Sequence, residues 1–208
     1  MARITRDESQ RVQEAVIKAA VEEIAEHGYA GLRIPLVAER IGKTQGAVYG
    51  RFVDKQSLAL AAVEYIRDTV LAPRVTAVLD ANNEPLAQLE ALSQLTAQIA
   101  ADYPAGQISI ARLATELSHA EGPVADAVRA LFESFAKLLT SLLNQAHERG
   151  DVAIPEPKRR ELGYVFLGMQ IGYATMGNLF AKQTSYVTLE ESMRTILTGG
   201  LRSTLTTD

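Results

Sequence analysis

The chain has 208 residues, 47% apolar and 22% charged, which is enough to bury a full core and is the balance of an ordinary globular protein. With no cysteine, thiolate metal sites, thiol nucleophiles and a disulfide framework are excluded, and no run of 18 apolar residues is present to span a bilayer. The net charge of −4 is unevenly spread: residues 1–60 hold nine Lys/Arg against eight Asp/Glu, a balance of +1, and the remainder holds twelve against seventeen, a balance of −5.

Residues 1–8 are polar with mixed charge, and Arg3 and Arg6 suit either an arm that reaches DNA or a frayed tail. No apolar signal core follows, so a cytoplasmic location is expected. Ser9 to His27 reads as a helix, because Val12, Val16, Ile17, Ala20, Val21 and Ile24 form one apolar stripe while Glu14 and Lys18 make an exposed i,i+4 pair. It ends at Gly28. Pro35 suits the first turn of the next helix, where a missing N–H is no loss. Leu36, Val37, Ala38 and Ile41 then keep helical spacing as far as Gly42, the residue that best tolerates the left-handed conformation at a helix end. A second short helix can start at once, with Thr44 as N-cap, Val48 and Phe52 facing inward, and Gln45, Gly46, Ala47 and Tyr49 facing out. Two short helices joined by a Gly-containing turn form a helix-turn-helix, whose second helix enters the DNA major groove N-terminus first.

In type and spacing, Val37-Ala38, the run Ala38 to Gly42, Thr44, Gly46, Val48-Tyr49, Phe52, Lys55 and Leu58 resemble the DNA-binding domain of the TetR/AcrR family of one-component transcriptional regulators. The detailed resemblance covers residues 10–60. It implies an all-α chain of about nine helices, with a three-helix DNA-binding domain in residues 1–55 and a larger ligand-binding and dimerisation domain in 56–208. Two departures stand out. Arg33 occupies the position of the family's usual Thr or Ser cap, and Gly50-Arg51-Phe52 replaces an aromatic-His-Phe run, placing an arginine where a histidine often touches phosphate.

For DNA reading the candidates are Arg33, Lys43, Thr44, Gln45, Gly46, Ala47, Tyr49, Arg51 and Lys55. Gln45 can pair bidentately with adenine, Gly46 and Ala47 let the backbone approach the groove, and Ala47 can meet a thymine methyl. Arg33, Tyr49 and Lys55 would bond phosphates, which sets register without conveying sequence. Tyr49 also suits packing at the edge of the first helix. The nearly neutral charge of this region implies modest non-specific affinity.

Further along, Asp54 can cap a helix from about 56 to 80, with Pro73 predicting a kink or break near Thr69 to Pro73 that serves transmission or merely separates two helices. Leu86, Leu89, Leu92, Leu95 and Ile99 predict a helix up to Tyr103, and 106–120 a shorter one. Val124, Val128, Leu131, Phe135, Leu138 and Leu142 predict a helix that stops at Gly150. From 157 to 182, Leu162, Met169 and Met176 recur seven apart, as do Phe166, Tyr173 and Phe180, with Gly163, Gly168, Gly172 and Gly177 interspersed to allow close helix approach. Thr188 caps a last helix, 189–205.

For this C-terminal part the resemblance implies an inducer cavity and a homodimer. Candidate lining residues are Tyr103, Gln107, Ile110, Leu113, Phe132, Phe135, Tyr164, Met169 and Tyr173, a Met and aromatic set that also reads as plain core. Arg112, Glu116 and His119 could orient a ligand if their helix turns inward. Leu162, Phe166, Met176, Phe180, Met193, Ile196 and Leu197 are the expected dimer contacts, in a four-helix interface that sets two recognition helices roughly 34–36 Å apart, or a multiple of it, over a pseudo-palindrome. Glu116 and His119 make one E-x-x-H pair, short of the second pair and further carboxylates a di-iron site needs. No metal, cofactor or catalytic residue is assigned. The expected function is a ligand-responsive repressor of double-stranded DNA operators. The alternatives are a DNA-binding regulator without an effector, or a helical carrier or enzyme.

Overall fold

Val16, Ala20, Val21 and Ile24 lie fully buried along one stripe of α1 (Arg6–Gly31), and this stripe organises the N-terminal core. The computed structural model describes residues 6–180, and for Tyr173, Ala174, Gly177 and Asn178 the backbone alone. Met193, Ile196 and Leu197 lie outside the described residues, as does the helix expected over 189–205. All regular structure among the described residues is helical, and none of those helices is long and apolar enough to cross a membrane.

The described residues divide into two units: 6–70 with 108–129, and 71–107 with 130–180. In the first, α2 (Ile34–Arg40) and α3 (Gln45–Tyr49) form the short pair expected from the sequence, and α4 (Lys55–Tyr65) packs with α2 around α1. Val37, Val48, Leu58 and Ala59 are fully buried, so each helix contributes to one core. Each such Val or Leu contributes on the order of 1.5–3 kcal/mol through burial. Local chemistry sets the element ends. Gly42 adopts φ +63° after α2, and Asp54 accepts from the Ser57 N–H at 2.7 Å while the Asp54 N–H donates to the Ser57 hydroxyl, closing a capping box on α4.

The break predicted near Pro73 takes the form of a π-helical segment, Ile66–Leu71, between α4 and α5 (Ala72–Ala81). Pro73 lies in the first turn of α5, directly after this segment, and its missing N–H leaves a carbonyl of the preceding turn without that donor. The expected 56–80 helix is therefore two α-helices joined by a wider turn.

In the second unit α5 packs on α6 (Pro85–Asp102), and Gln88 Nε2 donates to the carbonyls of Leu79 and Asn82 to close the end of α5. Helix α7 (Pro104–Glu116) starts and ends a few residues before its predicted bounds. Helix α8 (Pro123–Glu148) carries a buried row of Leu139, Leu142, Leu143 and Ala146. Gly150, at φ +80°, ends it, and α9 (Glu156–Leu179) returns along it. A Cβ built on Gly163 would lie 3.0 Å from Thr140 Oγ1 and 3.1 Å from the Ala136 carbonyl, so this glycine permits α9 to approach α8 closely within one chain.

Candidate nucleic-acid interface

The reading helix is built from its cap upward. Thr44 Oγ1 accepts from the Ala47 N–H at 3.3 Å, satisfying one of the orphan donors at the start of α3. Val48 (0% exposed) and Phe52 (7%) anchor its inner side, which leaves Thr44, Gln45, Gly46 and Tyr49 exposed on the other, with Tyr49 51% exposed. Ala47 is half-buried, while Arg33 and Lys43 are exposed at the flanks. A Thr44→Ala variant is expected to lose about 1 kcal/mol of stability, read from urea unfolding midpoints.

Helix α2 is fixed by Arg40. Its guanidinium donates to Glu23 Oε1 (2.6 and 3.0 Å), Glu26 Oε2 (2.8 Å) and Glu22 Oε2 (3.2 Å) on α1. The bonds it donates to Glu26 and then Glu23 raise the arginine's pKa, and the first of these bonds lowers that of Glu26. The Glu23 side chain is only 4% exposed, so Arg40 is the cation that compensates a buried charge. His27 Nδ1 lies 3.3 Å from Glu23 Oε2, and with Glu26 this makes a group of possible metal ligands into which Arg40 already brings positive charge.

Two of the candidate phosphate contacts are held by the protein itself. Arg51, just past the helix, turns back on it, Nη1 donating to the Ala47 carbonyl at 2.8 Å, and so closes the C-terminal end of α3. Lys55 Nζ donates to the Ala30 carbonyl at 3.3 Å and lies 4.6 Å from the centroid of the Tyr29 ring. Gly50, at the end of α3 with α-helical φ, caps the helix from outside its interior.

Arg112 and Glu116 are placed differently from their expected ligand-facing role. Glu116 Oε2 accepts from the backbone N–H groups of Tyr29 (2.8 Å) and Ala30 (3.2 Å), and Arg112 Nη1 donates to the Glu26 carbonyl at 3.0 Å. His119, exposed, lies in the turn beyond α7. This docking of α7 on the end of α1 is invisible in local sequence, since 87 positions separate Glu116 from Tyr29.

Among the cavity candidates, Leu113 is fully buried and Ile110 half-buried, both in the first unit. Tyr103, Gln107, Phe132, Phe135 and Met169 are half-buried in the second. Tyr164 faces outward. It borders an open groove of about 540 Å³ together with Thr140, Asn144, Glu156, Pro157, Arg160 and Glu161. The side chain of Tyr173 lies outside the described residues. Gln170, which the sequence pattern did not single out, has both amide ends buried without hydrogen-bond partners, as does the Gln107 Oε1. Gln170→Met removes two such atoms at similar length, and the melting temperature of the unliganded protein is expected to rise by about 3–6 °C.

Of the dimer candidates, Phe166 is buried in its own chain (6% exposed) and Leu162 half-buried, whereas Met176 (42%) and Phe180 (43%) are exposed. They share an exposed face of α9 with Tyr164, Val165, Gly168, Gly172 and Leu179. Among the described residues, a Cβ at Gly168 or Gly172 would meet nothing within 4 Å, so those residues leave that face open to a close neighbour.

Residues 16–62 match the family model described as bacterial regulatory proteins, tetR family. Over 53 residues the chain is 42% identical to the HTH-type transcriptional repressor AcnR of Corynebacterium diphtheriae, a match covering 26% of this chain and 27% of that repressor. Similarity over the whole length is structural. A TetR transcriptional regulator from Chloroflexus aurantiacus superposes with TM-score 0.79 at 22% identity, covering 92% of this chain and 96% of that one. A structure described as the molecular basis for control of antibiotic production by bacterial hormones gives 0.70 at 29% identity, covering 92% and 97%. AibR in complex with isovaleryl coenzyme A and operator DNA gives 0.74 at 18% identity, covering 89% and 97%.

Proposed function

We propose that this chain, a member of the tetR family of bacterial regulatory proteins and a transcriptional regulator, represses transcription as a homodimer on a pseudo-palindromic operator and is released by a small molecule. The observation that carries the reading is the Thr44-capped α3, anchored by Val48 and Phe52 with Gln45, Gly46 and Tyr49 presented outward. Residues 1–55 serve as the DNA-binding domain and 56–208 as the ligand-binding and dimerisation domain.

The open α9 face with Gly168 and Gly172 supports a partner copy, because small residues let two helices approach closely. The partnerless amide of Gln170 and the Gln107 Oε1 support an effector in the second unit, since an unmade buried hydrogen bond costs about 1–3 kcal/mol. The neighbour AibR, solved with both a small molecule and operator DNA, is consistent with one fold serving both partners. Effector coupling of the usual ~1–3 kcal/mol would weaken operator binding about 5- to 150-fold.

Selection of random duplexes by the purified protein tests this. An enriched palindrome, bound by dimers with an affinity that falls steeply with salt, is the expected result. A folded dimer that enriches no sequence would overturn the operator reading in favour of a carrier or enzyme.

A further inference from the structure

Gly28 adopts φ +73° and ψ −179°, a conformation open essentially to glycine alone, and it diverts the chain at the end of α1. In an uninterrupted helix the Ala30 N–H would bond to the Glu26 carbonyl. Here both halves of that bond have partners on α7, one turn apart: Glu116 accepts from the Ala30 N–H, and Arg112 donates to the Glu26 carbonyl. The carboxylate sits against the bend. A Cβ added to Gly28 would lie 1.8 Å from Glu116 Oε1, so the absent side chain is the space the carboxylate fills.

The same two residues that Glu116 holds by their N–H groups hold Lys55 from the other side, Tyr29 through its ring and Ala30 through its carbonyl. Lys55 begins α4, just after the reading helix, and an ammonium with one proton on Ala30 retains two for a phosphate. From this chain of contacts we infer that Glu116 is a positioning residue for the Lys55 phosphate contact, acting through the backbone of Tyr29 and Ala30. The inference rests on the operator reading for its consequence. Its geometry belongs wholly to the first unit. Glu116 touches no DNA. It fixes the bend on which the ammonium rests, so removing it frees Lys55 while leaving the charge of Lys55 in place.

Two measurements test the inference, one of them without DNA. In the free protein, lysine acylation followed by mass spectrometry is expected to modify Lys55 several-fold faster in Glu116→Ala than in the unaltered chain, with Lys18 and Lys43 unchanged. With a selected operator duplex, Glu116→Ala and Lys55→Ala are each expected to weaken binding by about 3- to 10-fold, the scale of one solvent-exposed hydrogen bond. Each should also lower the slope of log K against log salt by about 0.9 or less, the contribution of one phosphate. The double variant should bind no more weakly than Lys55→Ala alone. Glu116→Gln keeps an acceptor oxygen and should recover most of the affinity; it also serves if the alanine variant does not fold. Unchanged Lys55 reactivity, or additive losses in the double variant, would overturn the inference. Should no duplex be selected, the operator reading fails by itself, and the acylation rates still decide whether Glu116 positions Lys55.

Discussion

Arg40→Met is expected to destabilise the protein by about 3 kcal/mol, a fall in melting temperature of roughly 6–12 °C for a chain of this size. The reason lies in what remains. Glu23 stays buried with its arginine gone and only the His27 imidazole beside it, and Glu22 and Glu26 stay within reach of the same point, so a compensated site becomes three mutually repelling carboxylates. Adding Glu23→Leu to the variant should restore most of the loss, because an apolar replacement of a buried pair is often neutral, whereas removing one partner is not. If Arg40→Met melts within a degree of the unaltered protein, the cluster is not compensating a buried charge. The pH dependence follows from Glu26, whose folded pKa is lowered by Arg40. Its contribution is fully present above the ordinary glutamate value of about 4.3 and is lost as the pH falls through the lowered folded value. The melting curves of Arg40→Met and the unaltered protein should therefore converge in acid.

Replacing Gln45 and Tyr49 together by alanine should cost about 30- to 1,000-fold in operator affinity, combining a base-edge contact of ~1–3 kcal/mol with one phosphate hydrogen bond of ~1 kcal/mol. Both side chains are exposed, so the fold should be preserved, and an unaltered unfolding midpoint is the control. The salt slope separates this from a charge effect. Neither residue is cationic and neither releases counterions, so the slope should stay the same while affinity drops. A variant that keeps operator affinity would show that α3 does not read the groove as proposed.

The parts of the fold that were legible beforehand are those set over three or four residues. Thr44 and Asp54 cap because an oxygen three positions before an N–H meets it in any helix start, and Gly42 ends α2 because only local φ matters there. The all-helical pattern was legible for the same reason, since apolar spacing of three and four is a property of each segment. What was not legible depends on neighbours distant in sequence. Glu116 and Arg112 on α7 have the spacing of ligand-orienting groups, and nothing local says that α7 ends against α1. The glycines of α9 illustrate the same limit. Gly163, Gly168 and Gly172 look equivalent in the sequence, yet Gly163 admits α8 of the same chain and the other two face outward. Arg51 carries the charge of a phosphate contact but spends it on the Ala47 carbonyl, a choice that short-range geometry allowed and residue type did not disclose.

The wide turn at Ile66–Leu71 makes this chain sensitive to length in a way its loops are not. A π turn holds one residue more than an α turn, so it acts as a phase shift between the helices on either side. Loss of a single residue there would let ordinary helix run through the segment, shifting the phase of the helix that continues from it by about 100°. A one-residue deletion in the turn at 117–122 changes no helical phase, so relatives of this chain should vary in length there and keep the spacing from Tyr65 to Ala72 constant.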